Sequence, residues 1–167
     1  MNAFDDIYTT RASGWPVTAT VRGLAEAIAE RGMTIFATID QRDQARSVGL
    51  ALRETVLIIF GNPVAGTPVM DAEPLAGLDL PLKLMVWDDD GATRVSYLAP
   101  AALAHRYHLR RELAATLDGI DRLVDSVLTA SYADTPSAAE VLPLWAPRPL
   151  NVQAPRVEPR APAACHM

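Results

Sequence analysis

Basic residues, cysteines and long apolar runs are all scarce in this sequence. Its 167 residues include 15 lysines and arginines against 20 aspartates and glutamates, a formal net charge of −5. Because affinity for nucleic acids depends largely on neutralising phosphates, this acidic balance argues against a nucleic-acid-binding protein. It argues equally against attraction to anionic membranes. We therefore expect neither nucleic acid nor a membrane among the partners.

The single cysteine, Cys165, cannot form an intrachain disulfide, which is typical of proteins in a reducing cytoplasm. The longest strongly apolar run, residues 56–60, is far shorter than the roughly 20 residues of a membrane-spanning helix. Half of the residues are nevertheless apolar, as in ordinary globular domains. We therefore expect a cytoplasmic protein with its own core, and its richness in alanine, arginine and proline is typical of bacteria.

Hydrophobic periodicity predicts an ordered centre between two irregular ends. Residues 1–15 lack a pattern, which predicts a flexible lead-in. Residues 16–109 alternate between helical and strand periodicities and predict one α+β domain. Helical spacing over residues 112–130 predicts a C-terminal helix within 110–133. Prolines then recur to the end and predict a largely disordered tail over 134–167.

An apolar strand ends at Gly61, and the proline- and glycine-rich residues 62–79 that follow are predicted to form a loop with one helical turn near residues 73–76. In the next strand, residues 82–87, successive side chains point to opposite faces of the sheet. This alternation places Lys83, Met85 and Trp87 together on one face. Asp-Gly after this strand predicts a hairpin turn at Gly91.

The motifs of the central region stand out together. They are Phe36-Ala37-Thr38-Ile39-Asp40, Ala45-Arg46-Ser47-Val48-Gly49-Leu50, Leu57-Ile58-Ile59-Phe60-Gly61-Asn62-Pro63 with Gly66-Thr67, Leu80-Pro81-Leu82-Lys83 with Val86-Trp87, and Ser96-Tyr97 with Pro100 and Arg106-Tyr107-His108-Leu109. In these the chain resembles the domain-of-unknown-function family 302, DUF302. The resemblance implies an α+β fold similar to that of the TATA-binding protein, with an antiparallel sheet and helices packed on one face. It also implies a homodimer, but it brings no catalytic residues.

A small-molecule pocket near residues 61–70 is our first functional hypothesis. Asn62 and Thr67 would form hydrogen bonds, and Gly66 would let a ligand approach the backbone. Turn chemistry alone also explains these residue types. The remaining pocket candidates are the adaptable side chain of Met70, the cation of Lys83 and the apolar wall of Trp87.

Two other functional classes stay open. The C-terminal helix and the proline-rich tail would suit an interaction or assembly protein. An enzyme or metal-binding protein would use Lys83 as a base or amine nucleophile, or the pair His105 and His108, which are three residues apart on a predicted helix. A third metal ligand is missing nearby, although Cys165-His166 could supply one. No nucleotide-binding or nucleophile-elbow motif is recognisable, so the cofactor and any reaction remain unknown.

Overall fold

The computed structural model describes residues 7–129, and the proline-rich tail, Cys165 and His166 lie outside these described residues. Five strands form one antiparallel sheet. They are β1 (Tyr8–Ser13), β2 (Thr34–Asp40), β3 (Thr55–Gly61), β4 (Leu82–Asp89) and β5 (Ala92–Leu98). Their order across the sheet is β1-β5-β4-β3-β2. The predicted hairpin joins β4 to β5, and its turn residues Asp90 and Gly91 have φ values of 51° and 91°.

Helices connect the strands and follow the last of them. They are α1 (Val17–Glu30), α2 (Gln41–Ser47), α3 (Pro63–Ala72), a 3₁₀ helix (Pro74–Leu78), α4 (Pro100–Arg106), α5 (Arg111–Ala114) and α6 (Gly119–Leu128). Within the described range, no helix combines the length and the apolarity that crossing a membrane requires.

The main core lies between one face of the sheet and helices α1 and α6. Apolar side chains at alternate strand positions meet the apolar stripes of both helices. The central members are Leu24, Ile28, Ile58, Phe60, Leu84, Val86, Val95, Leu123 and Val124. This arrangement confirms the predicted α+β architecture, with helices packed on one face of the sheet.

A second, smaller core lies near the start of β4 and the end of β5. It joins Val69 of α3, Ala76 of the 3₁₀ helix, Leu103 of α4 and Leu117, which follows α5. Leu82 of β4 packs against both cores. The helices that follow β3 and β5 are therefore held together at one end of the sheet.

The prediction that residues 1–15 are a flexible lead-in is wrong for the described part, because Tyr8–Ser13 form strand β1. Tyr8 pairs with Leu98, and Ser13 pairs with Thr93. The strand has little apolar alternation, since most of its residues are exposed. Its order comes from backbone pairing with β5, which a search for apolar periodicity does not detect.

The predicted loop over residues 62–79 is wrong where α3 forms, whereas the helical turn predicted near residues 73–76 is confirmed by the 3₁₀ helix. Asn62 caps α3 by accepting a hydrogen bond of 2.9 Å from the Val64 amide, and Pro63 occupies the first turn. Pro68 lies inside the helix and removes one of its backbone donors. The glycines and prolines of this segment therefore led to the prediction of a loop, although the Asn62 cap stabilises a helix there.

The predicted continuous helix over residues 112–130 is broken into α5 and α6 within the described residues. Leu117 between the two belongs to the smaller core, whereas Ile120 at the start of α6 belongs to the main core. The break lets neighbouring apolar positions reach two different cores. Residues 130–133 of the predicted helix lie outside the described range.

Candidate functional site

The second face of the sheet carries the most distinctive concave surface. Strand alternation and the β3–β4–β5 register place Leu57, Met85 and Ser96 side by side there. Lys83 and Trp87 lie on the same face of β4, as their spacing predicts. All five side chains are half-buried. They are therefore available to a ligand that lies against the sheet.

A groove of about 320 Å³ begins on this face and extends around the end of the sheet toward the helices, where Leu82, Tyr97, Leu103 and Ile120 also line it. Its lining is mainly aliphatic and includes Leu57, Leu78, Met85 and Leu98, with Tyr8 from the edge strand. This volume is at the lower end of the range of roughly 300–1,000 Å³ that is usual for ligand pockets. We call it the Lys83 groove, because Lys83 is the one lysine in the whole sequence and lies in its lining.

The Lys83 ammonium is held in place by two backbone carbonyl groups. Its Nζ donates to the Asp79 carbonyl oxygen at 3.0 Å and to the Pro81 carbonyl oxygen at 3.3 Å. An ammonium has three donors, so one remains for a ligand. Both acceptors are neutral, and the positive charge of Lys83 is therefore not cancelled by them.

The carboxylate of Asp79, beside Lys83, is bound by two side chains of the segment that ends α4. Arg106 Nη1 donates to Asp79 Oδ2 at 2.8 Å, and the Tyr107 hydroxyl donates to the same oxygen at 2.7 Å. Burial, the largest single effect, raises the pKa of Asp79. The hydrogen bonds from Tyr107 and Arg106 and the positive charges of Arg106 and Lys83 together lower this pKa by more, so the net shift is downward. Asp79 is thus ionised and already satisfied.

We expect this cluster to make stability depend on acid pH. A carboxyl group whose pKa is lowered by folding stabilises the fold above its unfolded pKa, and this contribution is lost as pH falls through its folded pKa. Asp79→Asn should therefore be less stable at pH 7 but lose less stability on acidification. Urea unfolding between pH 7 and pH 3 measures both effects. Parallel pH curves for the two proteins would contradict the assignment, and Glu30→Gln, at an exposed position at the end of α1, is a control.

Trp87 adjoins the groove without lining it. Its indole Nε1 donates to Ser96 Oγ at 3.0 Å, and Ser96 is one of the groove residues. Ser96 Oγ also lies 2.9 Å from the Thr10 hydroxyl across the β1–β5 pair. The Arg53 guanidinium lies over the indole at 5.8 Å from the ring centroid. Trp87 is therefore coupled to the groove through Ser96.

The other predicted pocket residues lie on α3 and do not line the groove. The Asn62 side chain caps the helix, and Thr67 is exposed on it. Met70 lies close to two glycines. A Cβ added at Gly66 would be 4.0 Å from Met70 Cε, and a Cβ added at Gly77 would be 3.6 Å from Met70 Sδ. Met70 therefore packs between α3 and the 3₁₀ helix. Of the predicted set, the structure brings only Lys83 and Trp87 together at the groove.

The cap at Asn62 gives a prediction that separates structure from ligand binding. Asn62→Ala removes the acceptor for the Val64 amide and should lower the free energy of unfolding by about 1 kcal/mol. Asn62→Asp keeps an acceptor and should stay close to the original stability. Urea unfolding measures the difference. Equal stability of the alanine and aspartate variants would show that the cap contributes nothing.

His105 and His108 lie close together, and no further metal ligand joins them among the described residues. Their ring centroids are 6.3 Å apart, and His108 has a positive φ of 48° because it follows the end of α4. Among the described residues there is no group of three or more histidine, cysteine, aspartate or glutamate side chains that could hold a metal ion. Metal binding by this pair stays a prediction, and metal analysis of the purified protein would test it.

Sequence reasoning missed Asp79, Arg106 and Tyr107 as part of the site. The sequence Arg106-Tyr107 belongs to the motifs that carry the family resemblance, so it offered a signal. Asp79 offered none, because it lies in a segment predicted as a loop. Arg106 and Tyr107 lie 27 and 28 positions after Asp79, so only the fold brings the three residues together.

Comparisons with known proteins agree with this fold. The crystal structure of an uncharacterized conserved protein DUF302 from Bacillus stearothermophilus has a TM-score of 0.63 at 20% identity, and the match covers 73% of this chain and 95% of that one. Two curated proteins, Fluoride-specific ion channel FluC 1 of Brucella suis biovar 1 (strain 1330) and FluC 1 of Brucella abortus biovar 1 (strain 9-941), are each 37% identical over 106 residues, or 63% of this chain.

These matches cover 42% and 39% of the two Brucella proteins, so the chain spans less than half the length of the curated relatives it matches. A family model described as "Domain of unknown function DUF302" matches residues 8–127, which extends the family region beyond the 16–109 that the sequence motifs delimit. This match takes in strand β1 and nearly all of α6. The chain belongs to the DUF302 family.

Proposed function

We propose that the chain is a cytoplasmic homodimer that binds a small molecule in the Lys83 groove. One observation carries the proposal: the chain's one lysine is fixed by backbone carbonyls in the lining of an aliphatic groove. Ligand sites typically combine an apolar lining with few, well-placed polar groups. The groove has this composition.

The exposed apolar surface supports the homodimer. Within residues 7–129, five of the ten large hydrophobic side chains that are exposed lie between residues 36 and 52. They are Phe36, Ile39, Val48, Leu50 and Leu52. Phe36 and Ile39 lie in the edge strand β2, whose outer backbone groups are available for pairing, and the other three follow α2, the helix after β2. Clustered apolar surface of this kind is typical of protein interfaces.

A native mass spectrum of protein purified without added ligand tests both parts of the proposal. We expect a dimer that carries an adduct of defined mass. Leu57→Trp should lose the adduct, because the larger side chain occupies the groove. Val64→Trp, at a position that is 83% exposed, should retain it. A bare monomer, or an adduct that survives Leu57→Trp, would contradict the proposal.

A second candidate function is that of an interaction domain in a fluoride transport system. The observation that favours it is that its relatives named as fluoride-specific ion channels contain a segment 37% identical to this chain within a longer protein. Fusion in one protein is consistent with partnership between separate chains. The C-terminal helix and the proline-rich residues 134–167 are further candidates for partner contacts.

Fluoride efflux from reconstituted vesicles tests this candidate. The Brucella suis relative would be compared with a version that lacks the matched segment, with and without this chain added. Restoration of efflux by the added chain would support a role in transport. Efflux that is unaffected by removing the segment and by adding the chain would exclude it.

A further inference from the structure

We infer that the ligand of the Lys83 groove is a free alkyl carboxylate, with its single anionic group on Lys83 and its hydrocarbon chain along the sheet. This inference rests on the proposed function, because it names the chemical class of the molecule bound there. It follows from the balance of charge and apolar surface in the groove.

Among the residues that the structure describes, Lys83 is the only cation in the groove lining. Within the described part of the chain, it has no carboxylate oxygen within ion-pairing distance, since the bonds of its Nζ go to backbone carbonyls. Nearby arginines are already paired. Arg106 binds Asp79 at 2.8 Å, and Arg94 binds Asp89 at 3.1 Å. One uncompensated cation selects a ligand with one negative charge.

The Asp79 carboxylate adds selection against other charges. Asp79 is a groove residue beside Lys83, and its carboxylate stays ionised, since the pKa of Asp79 lies below its usual value. A second negative group on the ligand would approach this carboxylate without a cation to balance it. Phosphate esters and dicarboxylates are therefore disfavoured relative to a monocarboxylate.

The hydrocarbon part of the ligand would contact the aliphatic lining. Leu57 and Met85 are neighbours in the β3–β4 register, and Leu98 of β5 and Leu78, the last residue of the 3₁₀ helix, continue the apolar surface. A polar body would lose hydrogen bonds to water there without gaining partners. With about 320 Å³ of space, the groove suits a single short chain that enters from solution.

Isothermal titration with three ligands of equal chain length tests the class. We expect octanoate to bind more tightly than octanol, and octylammonium to bind weakest, because only octanoate complements Lys83. Lys83→Met should weaken octanoate about tenfold and leave octanol unchanged. Lys83→Arg, which keeps the charge, should retain most of the octanoate affinity.

Three outcomes would overturn the inference. In the first, octanol binds as tightly as octanoate, or Lys83→Met does not change octanoate binding. In the second, none of the three probes binds although the native spectrum shows a groove adduct, which rejects the class and leaves the proposed function intact. In the third, the protein binds phosphatidylglycerol vesicles but not free octanoate. Absence of both adduct and probe binding would instead reject the proposed function itself.

Discussion

Phe60→Ala is expected to lower the free energy of unfolding by about 3–5 kcal/mol, the largest single effect among the substitutions considered. Phe60 is fully buried in β3 and belongs to the main core. It pairs with Ile35 of β2 on one side and with Leu82 of β4 on the other. Truncation therefore leaves a cavity at a position surrounded by paired strands, where little collapse is possible. Urea unfolding measures the loss.

Phe36→Ala provides a matched control in the neighbouring strand. Phe36 is 51% exposed in the single chain, so its truncation removes much less buried surface and should cost about 1 kcal/mol or less when both variants are unfolded at a concentration at which they are monomers. Because both variants replace phenylalanine with alanine, a difference in their free energies of unfolding reports the effect of burial alone. Similar losses for both variants would contradict the position of the core.

Gly23→Ala should lower stability by about 1–3 kcal/mol, although this exchange normally stabilises a helix interior. Gly23 lies in α1 where α1 meets α6. A Cβ there would lie 2.8 Å from the Trp15 ring and 3.1 Å from Val127 Cγ1. Because Trp15 is buried, its ring has little room to move away from an added methyl group. The added methyl group must therefore displace α6 or the indole.

Gly66→Ala is the control with the opposite sign. It also lies in a helix, but the nearest side-chain atom to its added Cβ is Met70 Cε at 4.0 Å. We expect a gain of about 0.5–1 kcal/mol from the higher helix propensity of alanine. Thermal unfolding of both variants shows directly whether each substitution raises or lowers the stability. A gain at Gly23 would show that α1 and α6 pack less tightly than these distances require.

The architecture was predictable because burial leaves periodic patterns in the sequence. The apolar spacing in α1 and the alternation in β4 follow directly from which face is covered. Strand β1 and helix α3 were not predictable in this way. The first depends on a partner strand far along the chain, and the second on a cap that compensates for Pro68 and Gly66.

The site was predictable only in part, for a related reason. Lys83 and Trp87 share a strand, so alternation places them on one face. Asp79 and Arg106 meet only after the smaller core has assembled, and local sequence does not contain that information. Asn62 was attributed to a ligand because a helix cap and a polar pocket use the same residue types.

The pairing of β1 with β5 has a consequence for synthesis on the ribosome. Thr10 and Ser96 are in hydrogen-bonding distance although 86 positions separate them. At translation rates of about 5–20 residues per second, the first strand waits roughly 4–17 s for its neighbour to be made. During this interval β2, β3 and β4 can already associate with α1. The first of these five strands to be made is thus among the last to join the sheet, and its partner β5 completes the sheet.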